Sequence, residues 1–448
     1  MFYIILIVFV LGYICIALEH PLKVSKTATA LVLGVVVWTL YLLGGPDIYQ
    51  ITGVDAFNAF KAANPDSAHP FVDFIVNHEM FDHLAEIAET LFFLLGAMTI
   101  VEVIDRHQGF RIITDLIKTR NSVKLLWMLA IITFFLSAVL DNLTTTIVMI
   151  SLLRKLVTDK KDRCFFAGII VIAANAGGVW SPIGDVTTIM LWIGNRISAS
   201  QIIMQTFLPS FVSLIVPLIV TSFVMRKNGA ALPEIDTQKT SDIPSWQRTL
   251  VFCVGIGALL FVPVFKTVTH MKPYMGVLLG LGLLWIITEI IHRKETEHNK
   301  DLHIASIISR IDTPSILFFL GILLAVSGLQ SAGHLSLLAN GLNETFAGNF
   351  LIIDVVIGIL SSIVDNIPLV AGAMGMYDFN MNHPFWIFLA YCAGTGGSIL
   401  IIGSAAGVTA MGMEKIDFIW YLKKITPYAL LGYFAGAGAF MLMNLILH

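Results

Sequence analysis

From residue 123 to residue 157 the chain is apolar except for "LDNLTT" (140–145), and both ends of the run are basic, "RNSVK" (120–124) and "LRKLVTDKK" (153–161). Lys and Arg mark the cytoplasmic side of membrane segments. A run with basic residues at both ends therefore enters a bilayer and returns to the side it left, a re-entrant hairpin with Asp141 at its tip. The pattern recurs at "SSIVDNIPLVAGAM" (361–374), where Asp365 and Asn366 follow Asp141 and Asn142 by 224 residues. There the run 350–377 makes the same excursion from the opposite side.

The rest of the chain agrees with a membrane setting. Only 13% of the 448 residues are charged, against about 25% in soluble domains. "FYIILIVFVLGYICIAL" (2–18) and "ALVLGVVVWTLYLLGG" (30–45) have the length and lack of charge of bilayer-crossing helices. The first has neither a basic leader nor a small-residue cleavage site, so it reads as a retained helix and not a signal peptide. The four cysteines stand singly, which indicates neither a disulfide framework nor a zinc site.

Charge sets the orientation. Loops 19–27, 105–124, 154–163, 226–248, 293–310 and 414–424 hold 23 of the 27 Lys and Arg residues, leaving Lys61, Arg196, Lys266 and Lys272 on the other side. These loops are expected in the cytoplasm, with both termini outside.

Each hairpin is preceded by a related helix, "LFFLLGAMTIVEVI" (91–104) and "LFFLGILLAVSGL" (317–329). Each is followed by a glycine-interrupted helix, "IIVIAANAGGVWSPIGDVTTIMLW" (169–192) and "LAYCAGTGGSILIIGSAAGVTAMG" (389–412). The expected fold is an all-α polytopic membrane protein with two inverted-topology repeats, each holding a re-entrant hairpin and a broken transmembrane helix, plus scaffold helices. Residues 1–83 read as N-terminal helices and an outer loop (46–83). The first repeat core is 84–203 (hairpin 123–157, broken helix 163–195). Scaffold helices and cytoplasmic linkers fill 204–311. The second repeat core is 312–413 (hairpin 350–377, broken helix 385–412), and 414–448 is a C-terminal scaffold helix.

Irregular backbone at membrane depth lines a cavity or is buried in protein, so polar residues at the tips and breaks are candidates for binding. An Asp that only caps a helix contributes about 1 kcal/mol, and Ser or Asn does the same. A charged Asp at the bilayer centre costs about 2.5–3.5 kcal/mol, so capping alone does not explain Asp141 and Asp185. These carboxylates, with the neutral oxygens of Asn142, Thr144, Thr145, Asn175, Thr187 and Thr188, suit a small hard cation such as Na⁺. Asp365 is weaker, since Pro368 after it suits a plain helix start. Buried carboxylates also hold protons, and a proton and Na⁺ competing for one alternately exposed site make an exchanger. Glu86 and Glu89 at the head of helix 84–104, and Asp312 and Thr313 before Pro314, read first as helix-start residues and second as accessory ion positions. His69, His78 and His83 read as residues of the outer loop.

"LDNLTTTIVM", "AANAGGVWSPIGDVTTIMLWIG" and "SSIVDNIPLVAGAMGMY" resemble the NhaD-type Na⁺/H⁺ antiporters of the ion transporter superfamily, with the likeness running over about 84–440. The resemblance implies antiport of Na⁺ or Li⁺ for H⁺ in the bacterial inner membrane, pH homeostasis, and a homodimer of scaffold and moving transport domains. It involves no cofactor and no nucleic acid. By position it implies cation and proton binding at Asp141, Asn142, Thr144, Asn175, Asp185 and Thr188, with Asn366, Ser398 and Ser404 from the second repeat. Three other readings compete with this one: a Na⁺-coupled carrier of a dicarboxylate or other anion, a channel, and an intramembrane aspartyl protease. The first would need groups to hold an anion where the tips offer carboxylates. The last lacks its Gly-x-Gly-Asp pattern, having Pro182 before Ile183-Gly184-Asp185, so the chain is not expected to be an enzyme.

Overall fold

The computed structural model describes the chain apart from residues 18, 46–53, 115–118, 120, 229–242, 294–301, 310, 364–365 and 448. All the longer elements are helices: α1 (Phe2–Ala17), α2 (Lys26–Gly44), α3 (Pro70–Arg106), α4 (Ser122–Leu140), α5 (Asn142–Leu156), α6 (Lys160–Gly178), α7 (Val186–Ile193), α8 (Ala199–Asn228), α9 (Ser245–Thr269), α10 (Pro273–His292), α11 (Thr313–Ser331), α12 (His334–Thr345), α13 (Phe350–Leu360), α14 (Asn366–Met376), α15 (Pro384–Gly396), α16 (Ala405–Glu414), α17 (Phe418–Lys424) and α18 (Thr426–Leu447). Among the described residues eight helices are long and apolar enough to cross a bilayer: α2, α3, α4, α8, α9, α10, α11 and α18. Exposed Leu, Ile, Phe and Val on α9 and α10, such as Phe261, Val268, Leu283 and Ile290, are what a lipid-facing surface requires.

The first of two compact units comprises Met1–Phe92, Asp312–Ile353 and Ile367–Phe379. Its centre is the pair α2 and α11, whose backbones meet where neither helix has a side chain. A Cβ on Gly34 would lie 2.7 Å from the Gly321 carbonyl oxygen, and one on Gly321 would lie 2.5 Å from the backbone of Ala30. Small residues allow this approach, and close packing replaces the hydrophobic drive that lipid cannot supply. Trp38 Nε1 donates to Leu324 O at 2.9 Å and Thr27 Oγ1 to Pro314 O at 3.0 Å.

The stretch expected as an outer loop is largely helical. Val54–Ala63 forms a helix, and α3 begins at Pro70, includes a π turn over Ile75–Glu79 and continues through His83. His69 is its N-cap residue, while His78 and His83 lie inside it. The polar content that read as loop finds tertiary partners: Tyr41 OH donates to Glu79 Oε2 at 3.0 Å, and His83 Nε2 pairs with Ser331 Oγ at 3.2 Å. Glu86 and Glu89 are therefore mid-helix residues and not first-turn ones. Asp312 does cap α11, accepting from Ser315 N.

The second unit comprises Phe93–Ile311, Asp354–Asn366 and Asn380–His448. Here one contact set occurs twice. Ser137 Oγ donates to Ala174 O at 2.6 Å, and Ser361 Oγ to Ala393 O at 2.7 Å. A methyl on Gly177 would collide with the Phe134 carbonyl, and one on Gly396 with the Gly358 carbonyl. The α4/α13 residues correspond at 224 residues and the α6/α15 residues at 219. Helix α6 stops at Gly178 and restarts as α7, and α15 stops at Gly396 and restarts as α16. Beyond the core, the basic residues Arg154 and Arg163 are not free loop charges. Their Nε atoms bind Glu414 at 2.6 and 2.8 Å, tying α5 and α6 to the end of α16.

Candidate cation site

Asp185 and Ser404 are the N-caps of α7 and α16, each with extended backbone that lets a side-chain oxygen turn back onto the helix start. Asp185 accepts from Thr187 N at 3.2 Å, with Thr188 completing a capping box, and Ser404 accepts from Gly407 N at 3.2 Å. The ends of α4, α6, α13 and α15 approach the same place through glycines. A Cβ on Gly184 would lie 2.8 Å from Ser137 O, and one on Gly403 2.6 Å from Ser362 O. The starts of α7 and α16 bring positive helix ends to the site and the ends of α4, α6, α13 and α15 bring negative ones.

The side chains there form one buried network. Asn142 Nδ2, from the first hairpin tip, donates to Asp185 Oδ2 at 3.1 Å and Asn175 Oδ1 at 3.0 Å. Asn175 Nδ2 donates to Ser404 Oγ at 2.9 Å. Asn366 Nδ2, from the second tip, donates to Asp185 Oδ2 and Oδ1 at 3.3 and 3.4 Å. Asp185 is 1% exposed. Among the described residues, Thr145 Oγ1 and Thr187 Oγ1 on the same two helices, α5 and α7, are buried without a hydrogen-bond partner. An unsatisfied buried hydroxyl costs about 1–3 kcal/mol. A carboxylate, neutral amides and unspent hydroxyl lone pairs are the donor set of a hard cation.

Asp141 behaves differently. Its carboxylate turns back onto α5, accepting from Thr144 N at 2.7 Å and Thr144 Oγ1 at 2.9 Å. Its backbone sits at φ 78°, ψ 160°, a region almost reserved for glycine that costs roughly 1–3 kcal/mol. Such strain at a one-residue turn between two helices is the kind held at functional sites.

A family model described as "Citrate transporter" matches residues 13–394. The chain is 47% identical to "Sodium/proton antiporter 1" of Arabidopsis thaliana over 98% of its own length and 72% of the relative's. It is 45% identical to "Sodium/proton antiporter 2" of the same plant over 98% and 99%. With "Na(+)/H(+) antiporter NhaD" of Vibrio cholerae it shares 30% identity over 98% and 91%. The chain belongs to the citrate transporter family, among its NhaD-type Na⁺/H⁺ antiporters. It is a multi-pass membrane transporter and not an enzyme.

In this family member Asn142, Asn175, Asp185, Asn366 and Ser404 are joined, with Thr188 in the capping box. Thr144 is spent on Asp141. Ser398 Oγ donates its proton to Thr395 O at 2.6 Å, within its own turn. Asp365 lies outside the described residues. Glu86, Glu89, Asp312 and Thr313 belong to the first unit, whereas the network belongs to the second. The sequence reading passed over Asp354, which is fully buried in α13. Its signal in the sequence is a lone carboxylate in the apolar run "FLIIDVVIGIL" (350–360), weaker than the Asp-Asn doublet at the tip.

Proposed function

We propose that this chain exchanges Na⁺ or Li⁺ for H⁺, using Asp185 as the carboxylate that a cation or a proton neutralises in turn. The observation that carries this reading is the convergence of Asn142, Asn366 and, through Asn175, Ser404 on one buried carboxylate. Asp141, one residue before Asn142, adds a second carboxylate whose strained turn a cation can open. The matched contacts of the two halves support a repeat whose copies face opposite ways, so that the site is presented to each side alternately. The loop charges support cytoplasmic basic loops and external termini, in a bacterial inner membrane. A homodimer completes this reading.

A second reading is favoured by the family description, a Na⁺-coupled carrier of citrate, a dicarboxylate or another anion. Purified protein in proteoliposomes with a pH-reporting dye separates the two. Na⁺ or Li⁺ should collapse an imposed proton gradient, and the Asp185→Asn variant should leave it intact. Citrate uptake driven by Na⁺, with no cation-dependent proton movement, would replace exchange by anion transport.

A further inference from the structure

Asp354 lies in α13, twelve residues before Asn366 of the second hairpin, and is 0% exposed. Among the described residues neither of its carboxylate oxygens has a hydrogen-bond partner. The titratable groups beside it are the Cys392 thiol of α15 and the Tyr433 phenol of α18. Tyr433 OH spends its proton on Val355 O at 2.9 Å, and the gap that Tyr433 lines with Ser213, Thr395 and Ser398 is too narrow for water.

The shared architecture does not require this carboxyl. By the correspondence of α4 with α13 and α6 with α15, the counterparts of Asp354 and Cys392 are Ala130 and Ala173, both buried. The first copy fills the same interface with two methyl groups. A buried carboxyl with nothing to bond is an expense that packing does not explain, and in a dry interior it is tolerated only as the neutral acid.

We propose that Asp354 is a second proton-binding carboxyl of the exchange cycle, distinct from the cation network around Asp185. The proposal rests on the Na⁺/H⁺ reading above. Its coupling to that network is mechanical. Asp354 and Gly358 share one face of α13, and Gly358 meets α15 backbone to backbone at Cys392 and Gly396. Helix α13 leads on to Asn366, which holds Asp185. A movement of the tip around a bound cation slides α13 along α15 and changes what faces Asp354. Its O–H proton then leaves to water on one side and is restored from water on the other.

The test counts protons. In weakly buffered detergent solution, Na⁺ added to the wild type releases protons read by a pH dye, while Na⁺-dependent thermal stabilisation reports binding. Asp354→Asn should still bind Na⁺ through the untouched Asp185 network, but with an affinity that varies less with pH, releasing about one proton fewer per Na⁺ and exchanging about tenfold or more slowly. Asp354→Glu should recover proton release. Unchanged release and exchange in Asp354→Asn overturn the proposal and leave a fixed neutral acid. If Asp354→Asn does not fold, wild-type infrared difference spectra decide. A protonated-carboxyl band lost on adding Na⁺, and shifted in Asp354→Glu, supports the proposal, and one indifferent to Na⁺ overturns it. A wild type that neither releases protons nor exchanges overturns the Na⁺/H⁺ reading itself, whereas failure specific to Asp354 leaves wild-type exchange intact.

Discussion

Asp185 and Ser404 hold the same place in two copies of one local fold, each capping the second half of an interrupted helix, at φ −142°, ψ 147° and φ −147°, ψ 156°. Asn175 lies between them, accepting from the Asn142 amide that binds Asp185 and donating to Ser404 at 2.9 Å. Equivalent backbone carries a charge in one copy and a hydroxyl in the other. The site is symmetric in shape and asymmetric in chemistry, with a carboxylate at one cap only.

The two caps should therefore fail differently. Asp185→Asn keeps a capping oxygen and is expected to melt within about 1 kcal/mol of wild type while losing Na⁺-dependent exchange. Ser404→Ala removes a cap and the Asn175 bond, lowering stability by about 1–2 kcal/mol while exchange persists at a raised KM for Na⁺. Thermal melts beside proteoliposome assays read both.

At Asp141 backbone strain and charge are separable. Asp141→Gly relieves a strain of roughly 1–3 kcal/mol and loses a cap of about 1 kcal/mol, so its stability should equal or exceed that of wild type. Asp141→Asn keeps the cap and removes the charge. Loss of exchange in both, with folding intact, would assign the carboxylate a transport role. Full exchange in Asp141→Asn would reduce it to a cap.

Thr145 and Thr187 offer the clearest separation of binding from stability. Among the described residues their hydroxyls have no partner to lose, so Thr145→Val and Thr187→Val should leave melting unchanged or raise stability by about 1 kcal/mol. If these oxygens ligate the cation, Na⁺ affinity falls about tenfold in each, read by Na⁺ titration of thermal stability. Unaltered titrations would remove both from the ligand set.

The Glu414 clamp governs acid sensitivity. Burial alone would raise the Glu414 carboxyl, but the hydrogen bonds and charges of Arg163 and Arg154 hold it below its ordinary value of 4.5. A carboxyl lowered by folding stabilises the fold fully above its unfolded value, and that contribution is lost as pH falls through the folded one. Glu414→Gln should destabilise at neutral pH by roughly 1–3 kcal/mol, between exposed and buried ion pairs because the arginines are part-exposed. The gap between variant and wild type should close below pH 4.5. A gap constant with pH would show that the ion pair contributes nothing.

Much of the helical layout was legible in the sequence because it rests on local properties. Runs without charge mark the spanning helices. The stretch "NAGGVWSPIGD" ends α6 at Gly178 and starts α7 after Asp185, as expected, since glycine and proline act on their own neighbours. The turns at "LDN" and at Ser404 are readable for the same reason. Residues 70–83 read as a loop because their side chains are polar, while partners distant in sequence, Tyr41 for Glu79 and Ser331 for His83, satisfy them within a helix.

Composition and charge spacing alone determined that this chain is a multi-pass helical protein with two matched interruptions carrying carboxylates. Only the tertiary structure decided which polar groups meet. It joined Asn175 to Ser404 across 229 residues, directed both tip amides at Asp185, turned Asp141 back onto Thr144, left Thr145 and Thr187 with unspent oxygens, and buried Asp354 against Cys392. Hydrogen bonding and burial of this kind depend on how helices remote in sequence pack together, and no local window of residues contains that information.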